Sequence, residues 1–163
     1  MRPLDVNEIL TPTLLRITGD IAGTGNLKSL LGGNPLVFKG PKRPDKVTIN
    51  GKETQTNGLK SFTVHVLTNN RDPDSKVHNG TLLINFYCPN LDKGAGPANV
   101  ELMGPVTERL IYLFDDKPLI ITGYNNFNLT VQEPLGPLFD PGYPNEHFMS
   151  VRIQFNLFKK GSV

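Results

Sequence analysis

Three histidines and two pairs of aspartates are the side chains best suited by type to hold a metal ion or transfer protons. The histidines are far apart in the sequence, and none has a second ligand at metal spacing: His65, His78 and His147. Asp72 and Asp74 flank Pro73; paired carboxylates can act as acid and base, but Asp-Pro-Asp is also a favourable turn sequence. We expect a turn there and a solvated helix end at Asp115-Asp116. The spacing therefore predicts no enzyme active site, no metal site and no cofactor.

The glycine-rich stretch at residues 19–29 has some features of a phosphate-binding loop, since it ends in Lys28-Ser29. However, Leu27 occupies the place of the glycine in that motif, and the stretch follows a predicted helix, whereas a phosphate loop follows a strand. Gly23 and Gly25 are better explained as residues that end the helix. We expect no nucleotide site here.

Cys88 is the single cysteine, so no intramolecular disulfide can form, which suits a reducing compartment. It lies at the end of an apolar alternation on the side of Phe86, and this position predicts a buried small hydrophobic residue. The first residues show no apolar signal region, and no apolar run approaches the ~18 residues of a membrane span. We expect a soluble chain that does not enter a membrane.

Composition indicates an ordinary globular protein, because 37% of the 163 residues are hydrophobic and 20% are charged. One domain covering residues 1–163 is expected for this length. The net charge of +2 gives little attraction to nucleic acid, and no sequence-specific nucleic-acid contact is predicted. One basic cluster is interrupted by two prolines and is expected to be a solvated loop: Lys39, Lys42, Arg43 and Lys46.

The clearest structural pattern is the alternation at residues 148–158. It predicts a half-buried strand, because successive side chains of a strand face opposite ways. The backbone groups of such a strand need partners in the same sheet or in a neighbouring subunit, which favours an assembly protein over an enzyme. The apolar row is Met149, Val151, Ile153, Phe155 and Leu157, and the polar row is Ser150, Arg152, Gln154 and Asn156.

Shorter patterns predict the other strands, at residues 36–38, 46–49, 62–66, 82–88, 119–122 and 127–131. The strands at 62–66 and 82–88 are expected to pair around a polar loop at 69–80, and Asn50-Gly51 is a turn signal. Long loops rich in glycine, proline or polar residues are expected at 52–59, 89–97 and 133–145.

Two helices are predicted. The first is capped by Asp5 and either kinks at Pro12 or begins near Thr11 with Pro12 in its first turn. The second has apolar residues at helical spacing. Gly104-Pro105 is expected to interrupt it, so a continuous helix is predicted over 105–114. A short helical turn is expected at 26–31. This order predicts an α+β fold in which a mostly antiparallel sheet carries two helices on one face, with long Gly/Pro-rich loops.

The chain resembles the tail terminator proteins of long-tailed bacteriophages, which complete the tail and join it to the head. The likeness lies in the order of the elements, in the stretch from Asn79 to Phe86 (NGTLLINF), in the helix end from Glu108 to Phe114 (ERLIYLF) and in the final strand. It covers roughly residues 6–159, and the loops at 52–59 and 133–145 are longer than a minimal member needs.

The resemblance implies a structural virion protein without enzymatic activity. It implies a homo-hexameric ring, assembled in the host cytoplasm, that caps the tail tube, ends its polymerisation and receives the head connector or stopper protein; DNA would pass through the lumen. Phe139 and Tyr143 are then candidates for contacts between subunits. Arg71 and Lys76 are candidates for contacts along the tube axis or lumen, and Arg152 for contacts with the channel or the next subunit.

Two other interpretations remain open from the sequence. A different head–tail connector, neck or tail-tube-like protein fits the size, although the early helix and the helix at 105–114 favour a terminator. The other interpretation is a role outside the virion, either as a small binding domain or as an enzyme, and the enzyme would need a cluster of chemically active residues in a cleft. The sequence shows no such cluster.

Overall fold

The computed structural model of this chain describes residues 6–69, 77–92, 94–125 and 129–159. In these residues three helices and nine strands follow one another. Their order is α1 (Val6–Thr18), α2 (Leu27–Leu31), β1 (Val37–Lys39), β2 (Lys46–Ile49), β3 (Lys52–Gln55), β4 (Ser61–Asn69), β5 (Val77–Pro89), α3 (Val100–Phe114), β6 (Tyr124–Asn125), β7 (Leu129–Val131), β8 (Leu135–Leu138) and β9 (Glu146–Lys159).

The two long strands β5 and β9 form the centre of a seven-stranded sheet. β4 and then β1 lie beyond β5, while β6, β7 and β8 each pair with a different part of the other edge of β9. All of these pairings are antiparallel except that of β1 with β4, which is parallel. The predicted α+β fold with a mostly antiparallel sheet is therefore confirmed.

The final strand is longer than the predicted 148–158, because β9 pairs with β5 from Glu146 to Phe158. Its apolar row is buried as predicted at Val151, Ile153, Phe155 and Leu157, and each such side chain stabilises the fold by about 1.5–3 kcal/mol. The polar row faces the other way. Ser150 is the buried member of this row, because β5 and β8 flank it on both sides.

Helices α1 and α3 pack on the same face of the sheet, as predicted. Their apolar stripes meet the buried row of the strands and complete one continuous core. The contributions from the helices are Ile9, Leu10 and Ile17 of α1 and Met103, Val106, Leu110 and Phe114 of α3.

Both helices continue through a proline. α1 begins at Val6 and includes Pro12, so the alternative of a helix that starts near Thr11 is wrong. α3 begins at Val100, and Gly104-Pro105 does not interrupt it. Pro105 leaves the carbonyl of Glu101 without its helical donor, but Glu101, Gly104 and Pro105 are all exposed, so water can take its place.

Several predicted loops and strands differ from the observed ones. Residues 52–55, expected in a loop, form β3, which pairs with β2 across the predicted turn: Asn50 and Gly51 have φ of 50° and 77°. β5 begins at Val77, inside the predicted 69–80 loop, because it follows β9 to its end. The loop expected at 133–145 contains β8, because Leu135 and Leu138 pair with Ser150 and Phe148 near the start of β9. The strand predicted at 119–122 is not formed: Thr122 lies in a turn, and the Ile121 carbonyl accepts from the Tyr124 N–H at 3.1 Å.

Candidate interface on the outer face of the sheet

The predicted contact residues fall in different places. Arg71 and Lys76 lie outside the described residues. Phe139 and Tyr143 both follow β8, at the end of the sheet where β9 begins, and both are exposed. Arg152 is exposed on the face of the sheet opposite the helices, four residues beyond Phe148 along β9, or about 13 Å. The structure thus groups Phe139 with Tyr143 and leaves Arg152 further along the sheet.

The segment from β8 to Tyr143 is an exposed apolar edge. Four large apolar side chains in it are between 37% and 51% exposed, namely Leu135, Leu138, Phe139 and Tyr143. All four residues of β8 are exposed, and Pro137 in this strand has no N–H to offer to a further strand. Side-chain contact, rather than strand pairing, is therefore the mode of association that this edge favours. We call residues 135–143 the apolar edge.

A cleft of about 690 Å³ lies beside the apolar edge, between the segments at 41–57 and 140–148. Its floor contains Tyr87 and Phe148, whose ring centroids are 5.3 Å apart. Its rim, formed by the exposed lining residues, carries charges of both signs at Lys42, Lys46, Asp45 and Asp140. A balanced rim over an aromatic floor suits a protein segment better than a strongly charged ligand.

Arg43 and Glu146 form an ion pair at the wall of this cleft. Their side chains are 7% and 4% exposed, so both charges are almost completely removed from water. Arg43 also donates to the Thr56 carbonyl and to Ser61 Oγ, both at 3.1 Å, and its guanidinium lies 3.9 Å from the centre of the Tyr87 ring. Glu146 Oε2 accepts from the Gly58 N–H at 3.0 Å. The pair therefore fixes the 41–58 segment to the end of β9.

The expectation of a solvated loop for the basic cluster is wrong at Arg43. Charge spacing gave no indication of its burial, because its partner Glu146 lies about a hundred residues away and in a strand. The sequence contains one sign that Arg43 could be held in place: it lies between Pro41 and Pro44, where the backbone is restricted. The other members of the cluster, Lys39, Lys42 and Lys46, are exposed as expected.

The outer face of the sheet holds buried polar atoms that have no hydrogen-bond partner in the described residues: Thr63 Oγ1, His65 Nδ1 and Asn85 Oδ1. Thr63 and Asn85 are opposite each other in the β4–β5 register, and Ser150 continues their row. Burial lowers the pKa of His65, which favours the neutral imidazole. Buried polar groups in folded proteins are normally satisfied, and these atoms are closed to the surface, so water held within the fold is the partner that suits them.

The glycine-rich stretch at 19–29 has a structural role. Asp20 receives two hydrogen bonds from Arg109 of α3, at 2.7 and 2.6 Å, and one from the Leu27 N–H at 2.9 Å. Although burial opposes ionisation, these donors hold the pKa of Asp20 below its ordinary value. Asn26 caps α2 by accepting from the Ser29 N–H, and Gly32 ends α2 with φ of 73°. The stretch therefore joins α2 to α3.

The histidines are not brought together. His65 lies on the outer face, and His147 Nδ1 is 2.6 Å from Asn90 Oδ1. His78, expected in a loop, lies in β5; it is buried, with its ring 5.7 Å from that of Tyr124. In residues 6–69, 77–92, 94–125 and 129–159, no three His, Cys, Asp or Glu side chains are grouped so that they could hold a metal ion.

Cys88 is buried in the core beside the row that contains Phe86, as predicted. Burial raises the pKa of its thiol to about 11, so the sulfur stays protonated near neutral pH. It is a small apolar residue of the core and not a nucleophile.

No family model and no curated protein matches this chain. Among the described residues, none of the helices is long and apolar enough to span a membrane. The function must therefore be argued from the surface of the molecule itself.

Proposed function

We propose that this protein is a structural subunit of the tail of a bacteriophage, where identical copies form a ring at the junction of tail and head. In this role the ring, expected to be a hexamer, caps the tail tube, stops tube polymerisation and receives the head connector protein. DNA passes through the lumen without sequence-specific contact, and the protein is located in the virion. The proposal combines the resemblance in element order with the properties of the surface.

The apolar edge is the observation that carries the proposal. A free sheet edge with four exposed large apolar residues costs solubility unless another chain covers it. In a ring, a second copy would cover this edge with a different surface, which makes the contact head-to-tail. Repeated contacts of this kind produce rings when the rotation closes.

The outer face of the sheet supports the same role. Arg152 lies on it, exposed and with no ion pair in the part of the chain described by the structure. An exposed arginine without an ion-pair partner is suited to a polar contact with the channel contents or the next subunit. This observation favours an assembly protein over a module that works alone.

The test begins with the mass of the purified protein in light scattering. We expect a ring-sized species, either free or formed on the tips of isolated tail tubes. Infected cells that lack the protein should produce free heads and overlong or unfinished tails in electron micrographs. Tails of normal length, joined to heads without this protein, would contradict the terminator role; rings together with normal tail length would favour a neighbouring connector.

A variant tests whether the outer face takes part. Arg152→Glu should reduce the ring fraction while changing the free energy of unfolding by less than about 0.5 kcal/mol, because the side chain is exposed. Glu101→Arg, an exposed charge reversal on α3, is the matched control and should leave ring formation unchanged. Intact rings in Arg152→Glu would show that the polar row of β9 has only a structural role.

A further inference from the structure

The β2–β3 hairpin stands apart from the main sheet. In the described residues its two strands pair only with each other. Val47 and Thr54 are half-buried and the other six strand residues are exposed. A two-stranded hairpin is at best marginally stable alone in water, and each of its outer edges presents unpaired backbone groups.

The base of this hairpin is nevertheless firmly attached. Thr56 closes it, since its N–H donates to the Asp45 carbonyl at 3.0 Å and its hydroxyl donates to the Pro44 carbonyl. Arg43 binds the Thr56 carbonyl and the buried Glu146. The hairpin is therefore an arm with a fixed direction and an exposed tip.

A second segment, residues 119–122, is anchored in the core but has no neighbouring strand in the described residues. At residues 119–122 the side chains alternate as in a strand: Leu119 and Ile121 are buried, whereas Ile120 is 89% exposed. The N–H groups of these three residues find no acceptor among the described residues. The Ile121 carbonyl accepts from the Tyr124 N–H at 3.1 Å, so the unpaired donors are the N–H groups of residues 119–121. A segment that is anchored on one side and has unpaired N–H groups is suited to the addition of a strand.

The arm and this segment lie at opposite ends of the sheet. The arm is attached at Glu146, the first residue of β9. The segment at 119–122 runs between Asp116, which donates to the Leu129 carbonyl beside Phe155, and Tyr124, which pairs with Lys159. Glu146 and Phe155 are nine residues apart, or about 30 Å, whereas four strand residues reach only about 13 Å. The arm cannot reach the segment of its own chain.

We propose that the β2–β3 arm of one copy adds as a strand to residues 119–122 of a second copy. β2 is the strand that suits this contact, because Val47 and Ile49 alternate along it and give an apolar row that Ile120 can join. Such a contact is head-to-tail, which generates a ring when it closes. The inference rests on the proposed ring and goes beyond it by naming the two segments that join its subunits.

Cysteine cross-linking tests the contact on whichever assembled form light scattering identifies, in solution or on tube tips. Val47→Cys, Thr48→Cys and Ile49→Cys are each combined with Ile120→Cys and oxidised. At least one combination should give a ladder of disulfide-linked species up to the size of the ring. Cys88 does not compete, since it is buried and its pKa is raised to about 11. Glu101→Cys combined with Ile120→Cys is the control and should give no ladder.

A non-covalent variant gives an independent measurement. Ile120→Asp should lower the ring fraction at least tenfold without changing the unfolding midpoint, because the side chain is almost fully exposed. Leu91→Asp, at another exposed apolar residue, is the matched control and should leave the rings intact.

The two proposals fail in different ways. Rings whose arm combinations cross-link no better than the control, or rings that survive Ile120→Asp, would overturn the arm contact and leave the ring standing. A protein that stays monomeric both in solution and on tube tips would overturn the proposed function and the arm contact together.

Discussion

Arg43 and Glu146 hold two separate segments of the chain together with both charges almost fully buried. Removing one partner leaves the other charge buried and uncompensated. Arg43→Met should therefore lower the free energy of unfolding by about 3–5 kcal/mol, measured by urea denaturation. The double variant Arg43→Met/Glu146→Leu should recover part of this loss, because it removes both charges. A double variant as unstable as the sum of the single variants would show that the two side chains act independently.

Asp20 gives the fold a dependence on acid. Its carboxylate is held by Arg109 and by the Leu27 N–H, and its pKa is lowered from 3.8. Because the folded pKa is depressed, the stabilisation is fully present above pH 3.8 and is lost as the pH falls through the folded pKa. Asp20→Asn should be less stable than the wild type at neutral pH, and the difference should shrink as the pH falls below 3.8 and through the lowered pKa of Asp20.

The measurement is the urea midpoint at a series of pH values. Asp116→Asn is the control, since Asp116 is exposed, and its free energy of unfolding should follow that of the wild type within about 0.5 kcal/mol. A constant difference between Asp20→Asn and the wild type across the whole pH range would mean that the carboxylate does not titrate in this way.

Side-chain types could predict only part of the candidate interface. Phe139 and Tyr143 are predicted as contact residues because a closed ring must hide the apolar residues of long loops between its subunits, and both side chains are exposed. Arg43 was misjudged, since burial of a charge depends on a partner that is distant in sequence. The same limit applies to Asp20 and Arg109, whose pairing requires α3 to pack against the 19–29 stretch.

Elements with a clear period were predicted well, and those without one were not. β5 and β9 alternate for many residues, so sequence alone identified their cores and faces, though not their ends. Their pairing partner determines those ends. The four residues of β3 carry no apolar alternation, and β8 contains a glycine and a proline. The segment at 119–122 alternates like a strand, but in the described residues no neighbouring strand pairs with it.

Two glycines show how the element around a residue decides the effect of the same substitution. A Cβ at Gly80 of β5 would lie 2.0 Å from the Thr68 carbonyl oxygen and 2.6 Å from Phe155 Cζ. Gly80→Ala should destabilise the protein by about 1–3 kcal/mol, because backbone and core must both shift. At Gly104 of α3 an added Cβ meets no atom within 4 Å, and Gly104→Ala should stabilise by about 0.5–1 kcal/mol.

Thermal or urea unfolding of the two alanine variants checks this pair of predictions, and each variant serves as the control for the other. Equal changes in stability of the same sign would show that the close approach of β4 and β5 does not determine the effect of Gly80→Ala. Gly80 lies where the β4–β5 register shifts between Val66 and Thr68. A stable Gly80→Ala would therefore mean that this irregular part of the ladder can move apart easily.

At the scale of the whole molecule, the contact surfaces differ in their chemistry from a surface that binds nucleic acid. The net charge is +2, and the rim of the cleft carries both signs. The apolar edge and Ile120 contribute large exposed apolar side chains to the proposed contacts. Assembly should therefore be driven mainly by removal of apolar surface from water, which salt does not screen.

This argument predicts how the ring responds to salt. The Debye length falls from about 10 Å at 0.1 M to about 3 Å at 1 M ionic strength, so contacts between exposed charges weaken strongly over this range. The ring-sized mass in light scattering should persist at 1 M sodium chloride and should be at least as resistant to dilution as at 0.1 M. Arg152→Glu gives the contrast: if its defect arises from charge, high salt should restore part of the ring fraction. Dissociation of wild-type rings at 1 M salt would instead place ion pairs, such as those available to Lys42 and Lys46, at the centre of the subunit contact.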